Sequence, residues 1–106
     1  MMTSAQPISS GIVGEVVLWP LSPVERPGMI NHRPYQAAIR ITDETGHTVA
    51  QVQSDAAGRF EVMLEPGVYR LHPEPGAGRA RAREQTLTVA PSRFTPVRIT
   101  YDSGMR

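Results

Sequence analysis

Ser54-Asp55-Ala56-Ala57-Gly58-Arg59-Phe60-Glu61-Val62-Met63-Leu64-Glu65-Pro66-Gly67-Val68-Tyr69-Arg70-Leu71 is the stretch whose reading decides the fold. Phe60, Val62 and Leu64 alternate with Arg59, Glu61 and Met63, the period of two expected of a half-buried strand. Glu65-Pro66-Gly67 reads as a tight turn: proline presets φ at the first central position, and glycine accepts a positive φ at the second. Beyond it Tyr69 and Leu71 face inward, and Val68 and Arg70 face out. Strand, turn, strand, turn, strand is the grammar of a β-sandwich.

Outward from that stretch the same grammar continues. Gly11 to Trp19 is the first strand, with Ile12, Gly14, Val16 and Leu18 on one face and Val13, Glu15 and Val17 on the other. Gly14 inside a strand predicts a bulge or the close approach of another backbone. Tyr35 to Thr42 and His47 to Ser54 follow as strands, joined by the turn Asp43-Glu44-Thr45-Gly46, and Asp55-Ala56-Ala57-Gly58 repeats its Asp-x-x-Gly pattern. Gln85 to Ala90 and Phe94 to Tyr101 complete seven strands, and Pro96 marks the last as an edge or a bulge. The only helix-compatible window, Arg79 to Gln85, is too short to stand alone. The expected core is Ile12, Val16, Leu18, Ile39, Ile41, Val52, Phe60, Val62, Leu64, Tyr69, Leu71, Val97 and Ile99.

Composition excludes more chemistry than it suggests. The 106 residues make one domain, long enough for a single core without staples. There is no cysteine, hence no disulfide, thiolate nucleophile or cysteine-ligated zinc. There is no lysine either, which removes Schiff bases, a Lys-to-Asn isopeptide cross-link and the lysine of a phosphate-binding loop. A net charge of +1 without a block of like charge argues against a dedicated nucleic-acid binder. No run approaches the roughly 18 apolar residues of a membrane helix, and the start of the chain shows no signal-peptide pattern. Residues 1–10 read as a disordered leader, 11–102 as the domain and 103–106 as a short tail.

Candidate chemistry is sparse. His32, His47 and His72 lie far apart in sequence without metal-ligand spacing, and the serines lack a nucleophile-elbow context. No catalytic, cofactor-binding or metal-ligating residue is therefore assigned. Two long loops, Pro20–Pro34 and Pro73–Glu84, are not explained by strand pairing. The second carries Arg79, Arg81 and Arg83 alternating with alanines, a comb able to grip carboxylate or sulfate oxygens. Trp19 ends its strand beside the first loop, where it either caps the open end of the sandwich or stacks on a ligand. Trp19, Arg26, Arg79, Arg81 and Arg83 are the candidate ligand or partner residues, and an anionic ligand or a protein surface is the candidate partner.

Ser54-Asp55-x-x-Gly58-x-Phe60 followed by Leu64-x-Pro66-Gly67-x-Tyr69-x-Leu71 resembles the carboxypeptidase regulatory-like domains of the transthyretin-like β-sandwich superfamily. The resemblance spans about residues 11 to 101 and is nearest to small bacterial proteins made of that domain alone. Pro23-Val24-Glu25-Arg26-Pro27, Pro34-Tyr35 and the ending Tyr101-Asp102-Ser103-Gly104 match their patterns. It implies a Greek-key, two-sheet antiparallel sandwich, transthyretin-like or Ig-like, and no activity. Proteins of this kind are often exported or lipid-anchored, with a cysteine at each end of the proline loop. Here Ser22 stands at the first such site, and Met29 to His32 holds no cysteine. Transthyretin-related enzymes hydrolyse 5-hydroxyisourate with a Tyr-Arg-Gly-Ser ending, whereas Asp102 follows Tyr101 here. The resulting expectation is a non-enzymatic binding or structural module, with an anionic-ligand binder and a hydrolase of that kind as alternatives.

Overall fold

Eight strands form two four-stranded sheets in a computed structural model that describes residues 10–22, 26–28, 30–76 and 80–104. They are β1 (Gly11–Trp19), β2 (Arg33–Pro34), β3 (Ala38–Asp43), β4 (Thr48–Gln53), β5 (Arg59–Met63), β6 (Gly67–Pro73), β7 (Gln85–Val89) and β8 (Phe94–Asp102). In the first sheet β1 is central: β8 lies along one side, while β5 and β2 share the other. The second sheet runs β4-β3-β6-β7, antiparallel throughout.

The sandwich expected from alternation is present, with two corrections. There are eight strands rather than seven, because the two residues of β2 pair with Val17 and Leu18. Two residues, one of them proline, are too few to carry a periodicity. The expected strand from Tyr35 begins only at Ala38, since Tyr35 gives its N–H to Val16 O (3.0 Å) on the way between sheets. The second correction is direction: β1 and β8 pair in parallel along nine residues, Gly11↔Phe94 through Trp19↔Asp102. Alternation shows which face a residue takes but not which way its neighbour runs. As expected from Pro96, β8 is an edge strand, pairing along its length only with β1.

Between the sheets, Ile12, Val16, Ile39, Ile41, Leu71 and Ile99 are fully buried, and Phe60 and Tyr69 nearly so. Leu18, Val52, Val62, Leu64 and Val97 pack around them half-buried. Ala37, Ala80, Val89 and Tyr101 join the core without having been in the expected set. Gly14 is neither a bulge nor a backbone contact. Its missing Cβ is the space taken by the Phe60 ring, whose Cε2 would lie 2.1 Å from that atom. Gly58 holds φ +76° at the end of the Asp55 turn, and a Cβ there would press within 2.4 Å of Val16 O. Both positions require glycine for different physical reasons, one steric and one conformational.

Buried polar groups bind the sheets to their connections. Ser54 Oγ donates to Tyr35 O (2.7 Å) and accepts the N–H of Ala37 (2.8 Å), joining the end of β4 to the entry of β3. Asp43 and Asp55 each turn a carboxylate onto following amides, Asp43 to Thr45 and His47, Asp55 to Ala57 and Arg59. The Thr45 hydroxyl, followed by those amides, holds the Asp43 carboxyl below its ordinary range. Tyr69 packs its ring inward and donates its hydroxyl to Glu65 O (2.7 Å) across the Pro66 turn. Ser10, expected in the disordered leader, is buried instead: its Oγ donates to Leu64 O (2.7 Å) and its carbonyl accepts the Leu64 N–H. The rest of that leader lies outside the described residues.

Candidate functional site

The parallel partnership of β1 with β8 brings the two long loops to one end of the sandwich. Trp19 is opposite Asp102, and Asp102 is bridged in turn to Arg81, exchanging two backbone hydrogen bonds of 2.7 and 3.1 Å. Strands about 4.8 Å apart put the Trp19 and Arg81 backbones roughly 10 Å from each other. Ser103 seals the junction: its N–H reaches Trp19 O (3.0 Å), and its hydroxyl donates to Pro20 O. Ser103 and Gly104, read as tail, are thus tied to the sheet.

Side-chain direction follows from the register. On β8, Val97, Ile99 and Tyr101 oppose the inward Gly14, Val16 and Leu18, so Pro96, Arg98, Thr100 and Asp102 face out. Trp19 shares that outer face and is 39% exposed, so it stands on the wall of the sandwich rather than over its open end. Ala80 is buried, Ala82 half-buried, and Arg81 and Arg83 exposed, so the described part of the segment alternates and turns Arg81 and Arg83 outward. A groove of about 560 Å³ results, lined by Arg81, Arg83 and Arg98 with Gln85 and Thr100, and also by the acidic Glu84 and Asp102. Its acidic neighbours are partly engaged: Asp102 Oδ1 accepts the Gly104 N–H, and Glu84 pairs with His72. Arg98 keeps a loose contact of 3.8 Å with Glu15, both side chains more than half exposed.

Of the expected ligand residues, Trp19, Arg81 and Arg83 therefore share one outer face. Arg79 and residues 23–25 of the proline loop lie outside the described residues. Arg26 is exposed on the excursion between β1 and β2. That excursion is closed by Asn31, a buried residue that the sequence reading did not single out. Its Oδ1 accepts the N–H groups of Leu21 (3.0 Å) and Ser22 (2.9 Å), its backbone carbonyl also accepts the Leu21 N–H (3.0 Å), and its Nδ2 donates to Ser22 O (3.5 Å), which together form the neck of the loop. Arg98 was also missed, although its outward place in the alternation of β8 was legible.

The outer face of the second sheet carries a different cluster. Thr42 Oγ1 lies 2.8 Å from His72 Nε2, and His72 Nδ1 lies 2.8 Å from Glu84 Oε2. The partner of His72 is thus Glu84, twelve residues on in the sequence, while Glu74 gives its backbone N–H to Ala38 O at the end of the ladder. The His72 hydrogen bond holds the Glu84 carboxyl below its ordinary range, helped by Arg70 and Arg40. In the neutral tautomer with its proton on Nδ1, the imidazole donates to Glu84 and accepts from the Thr42 hydroxyl at Nε2. Arg40, Arg70 and Thr86 complete a groove of about 220 Å³.

Hydroxyl, imidazole and carboxylate stand here in the order of a nucleophilic relay. The position of Thr42 opposes that use. It is 4% exposed and lies in a strand paired on both sides, so adjacent ladder amides are committed and unable to hold an oxyanion. What the chain of bonds does is clamp the Glu84 end of the arginine segment onto the second sheet. Elsewhere, His47 Nδ1 contacts the Thr45 hydroxyl (2.7 Å), and His32 is exposed. Among the described residues no three His, Asp or Glu side chains converge in a way that could hold a metal ion, and no helix is long and apolar enough to cross a membrane.

No family model matches the chain, and no curated protein matches it. Among solved structures it is similar to GBS52, the minor pilin of the Gram-positive pathogen Streptococcus agalactiae, with a TM-score of 0.68 at 15% identity. The match covers 90% of this chain and 45% of the pilin chain, so this chain spans less than half of its neighbour's length. At that identity the likeness is one of fold: this chain is a β-sandwich similar to part of the minor pilin chain.

Proposed function

We propose that the chain is a non-enzymatic β-sandwich module of the carboxypeptidase regulatory-like type that binds an anionic saccharide on the outer face of its first sheet, as part of a cell-surface or exported protein. The observation that carries this reading is the row Trp19–Asp102–Arg81, which sets an exposed indole beside a groove containing three arginines. An indole face stacks on a sugar ring, and guanidinium groups take carboxylate or sulfate oxygens two at a time. The family resemblance of the Ser54–Leu71 stretch and the likeness to a minor pilin support the structural part of the reading.

The test is retention on immobilised heparin at low ionic strength. Wild type is retained and released by moderate salt, since exposed charges are screened over about 10 Å at 0.1 M. The Arg81→Gln/Arg83→Gln/Arg98→Gln variant keeps its melting temperature within a few degrees, because exposed charges add little to stability, and it loses retention. Trp19→Ala weakens retention without changing its salt dependence. If wild type passes through the column unretarded, the saccharide reading is wrong.

A further inference from the structure

The two long sides of the sandwich are finished differently. On one side β7 and β8 are stitched together: Gln85 Nε2 donates to Arg98 O (2.9 Å), Thr95 Oγ1 to Thr88 O (3.3 Å), and the Arg81–Asp102 bridge closes the end. On the other side β4 stands over β5, and the described hydrogen bonds of β4 run to β3. Ser54 N donates to Ala37 O (3.0 Å), so alternation along the strand turns the backbone groups of Ala50 and Val52 toward β3. The N–H and C=O groups of Gln51 and Gln53 then point away from the sheet, along its free edge. Beneath that edge lies a groove of about 550 Å³ lined by Val52 and Phe60 and by the charged Asp55, Arg59 and Glu61.

Edge strands are ordinarily guarded by charge or proline. The edge of β5 carries Arg59 and Glu61, and that of β8 carries Pro96 and Arg98. The sequence of β4, Thr48-Val49-Ala50-Gln51-Val52-Gln53, contains no charge, proline or glycine. A second β4 brings neither charge nor proline against this edge and offers a complementary row of free backbone groups.

We infer that β4 pairs antiparallel with β4 of a second copy, about a two-fold axis through Val52. Edge-facing residues must oppose edge-facing residues, so the axis has to pass through a residue and not between two. Centring on Val52 uses both outward backbones: Gln51 opposes Gln53 of the other copy, and Gln53 opposes its Gln51. The two valines form a close pair, with Cα atoms about 4.5 Å apart, on the face that continues the core. A two-fold contact of this kind is self-limiting and joins two four-stranded sheets into one of eight.

The chain has no cysteine, so one introduced cysteine reads the contact cleanly. Val52→Cys cross-links into a dimer under mild oxidation, since facing Cα atoms lie within disulfide reach. Leu87→Cys, on the edge strand at the opposite side of the same sheet, stays monomeric and serves as the control. Wild type sediments with twice the monomer mass at high micromolar concentration. Gln51→Lys, which sets a cation near an identical cation across the axis, sediments as a monomer with an unchanged circular dichroism spectrum. Wild type that stays monomeric, a dimer that survives Gln51→Lys, or equal cross-linking of the two cysteine variants overturns the inference. A monomer would leave the edge for a strand of a different protein.

Discussion

Phe60 and Gly14 occupy one volume between them, and a double-mutant cycle measures that directly. Phe60 is 6% exposed, and its ring fills the place of a Gly14 side chain. Phe60→Ala removes the ring from a packed wall and costs about 3–5 kcal/mol. Gly14→Ala drives a methyl into the ring, whose Cε2, Cζ and Cδ2 would lie 2.1, 2.2 and 2.9 Å from it. Relieving those contacts means displacing a ring that is packed into the core, so overpacking costs about 1–3 kcal/mol, less up to about 1 kcal/mol regained from the stiffer unfolded chain. In the double variant the clash is gone and the methyl occupies part of the cavity. Its total cost is then close to that of Phe60→Ala alone, a coupling of roughly 1–3 kcal/mol in favour of the pair. Urea unfolding followed by Trp19 fluorescence gives all four corners, provided the slopes agree. Additive costs would refute the reasoning, since they would mean the ring moves aside freely and Gly14 is glycine for another cause.

Two further outcomes concern buried hydroxyls. Burial, followed by the proximity of Tyr35 and of Glu74, pushes the Tyr101 phenol up to about 12 from an unperturbed value near 10. The folded state thus favours the neutral phenol, so the associated stability is intact below pH about 10 and is lost as the pH climbs toward 12, roughly 2–3 kcal/mol in all. Tyr101→Phe flattens alkaline unfolding in that window while giving up the hydrogen bond to Glu74 O; an alkaline midpoint identical to wild type would contradict this. Ser54→Ala strands the Tyr35 carbonyl and the Ala37 N–H in a site that is 1% exposed, costing about 1–3 kcal/mol; a denaturation midpoint unmoved within error would show that the groups find other partners.

Alternation in Ser54–Leu71 and its Asp-x-x-Gly and Pro-Gly turns determined the sandwich and its inward faces. These are local properties: a period of two, a fixed φ and a carboxylate next to amides are complete within a few residues. Alternation likewise determined that Arg81 and Arg83 turn outward, because alanine between charges repeats the same period. Tertiary structure alone decided which distant residues became neighbours. The parallel β1–β8 pair set Trp19 beside Asp102 and Arg81, and the return of β7 gave His72 to Glu84. Burial of Ser10 was also decided there, since a small polar side chain carries no inward signal of its own. Strand order decided the edges too. Nothing in Thr48–Gln53 distinguishes an edge strand from a central one until the chain has chosen which of its strands is left with one partner.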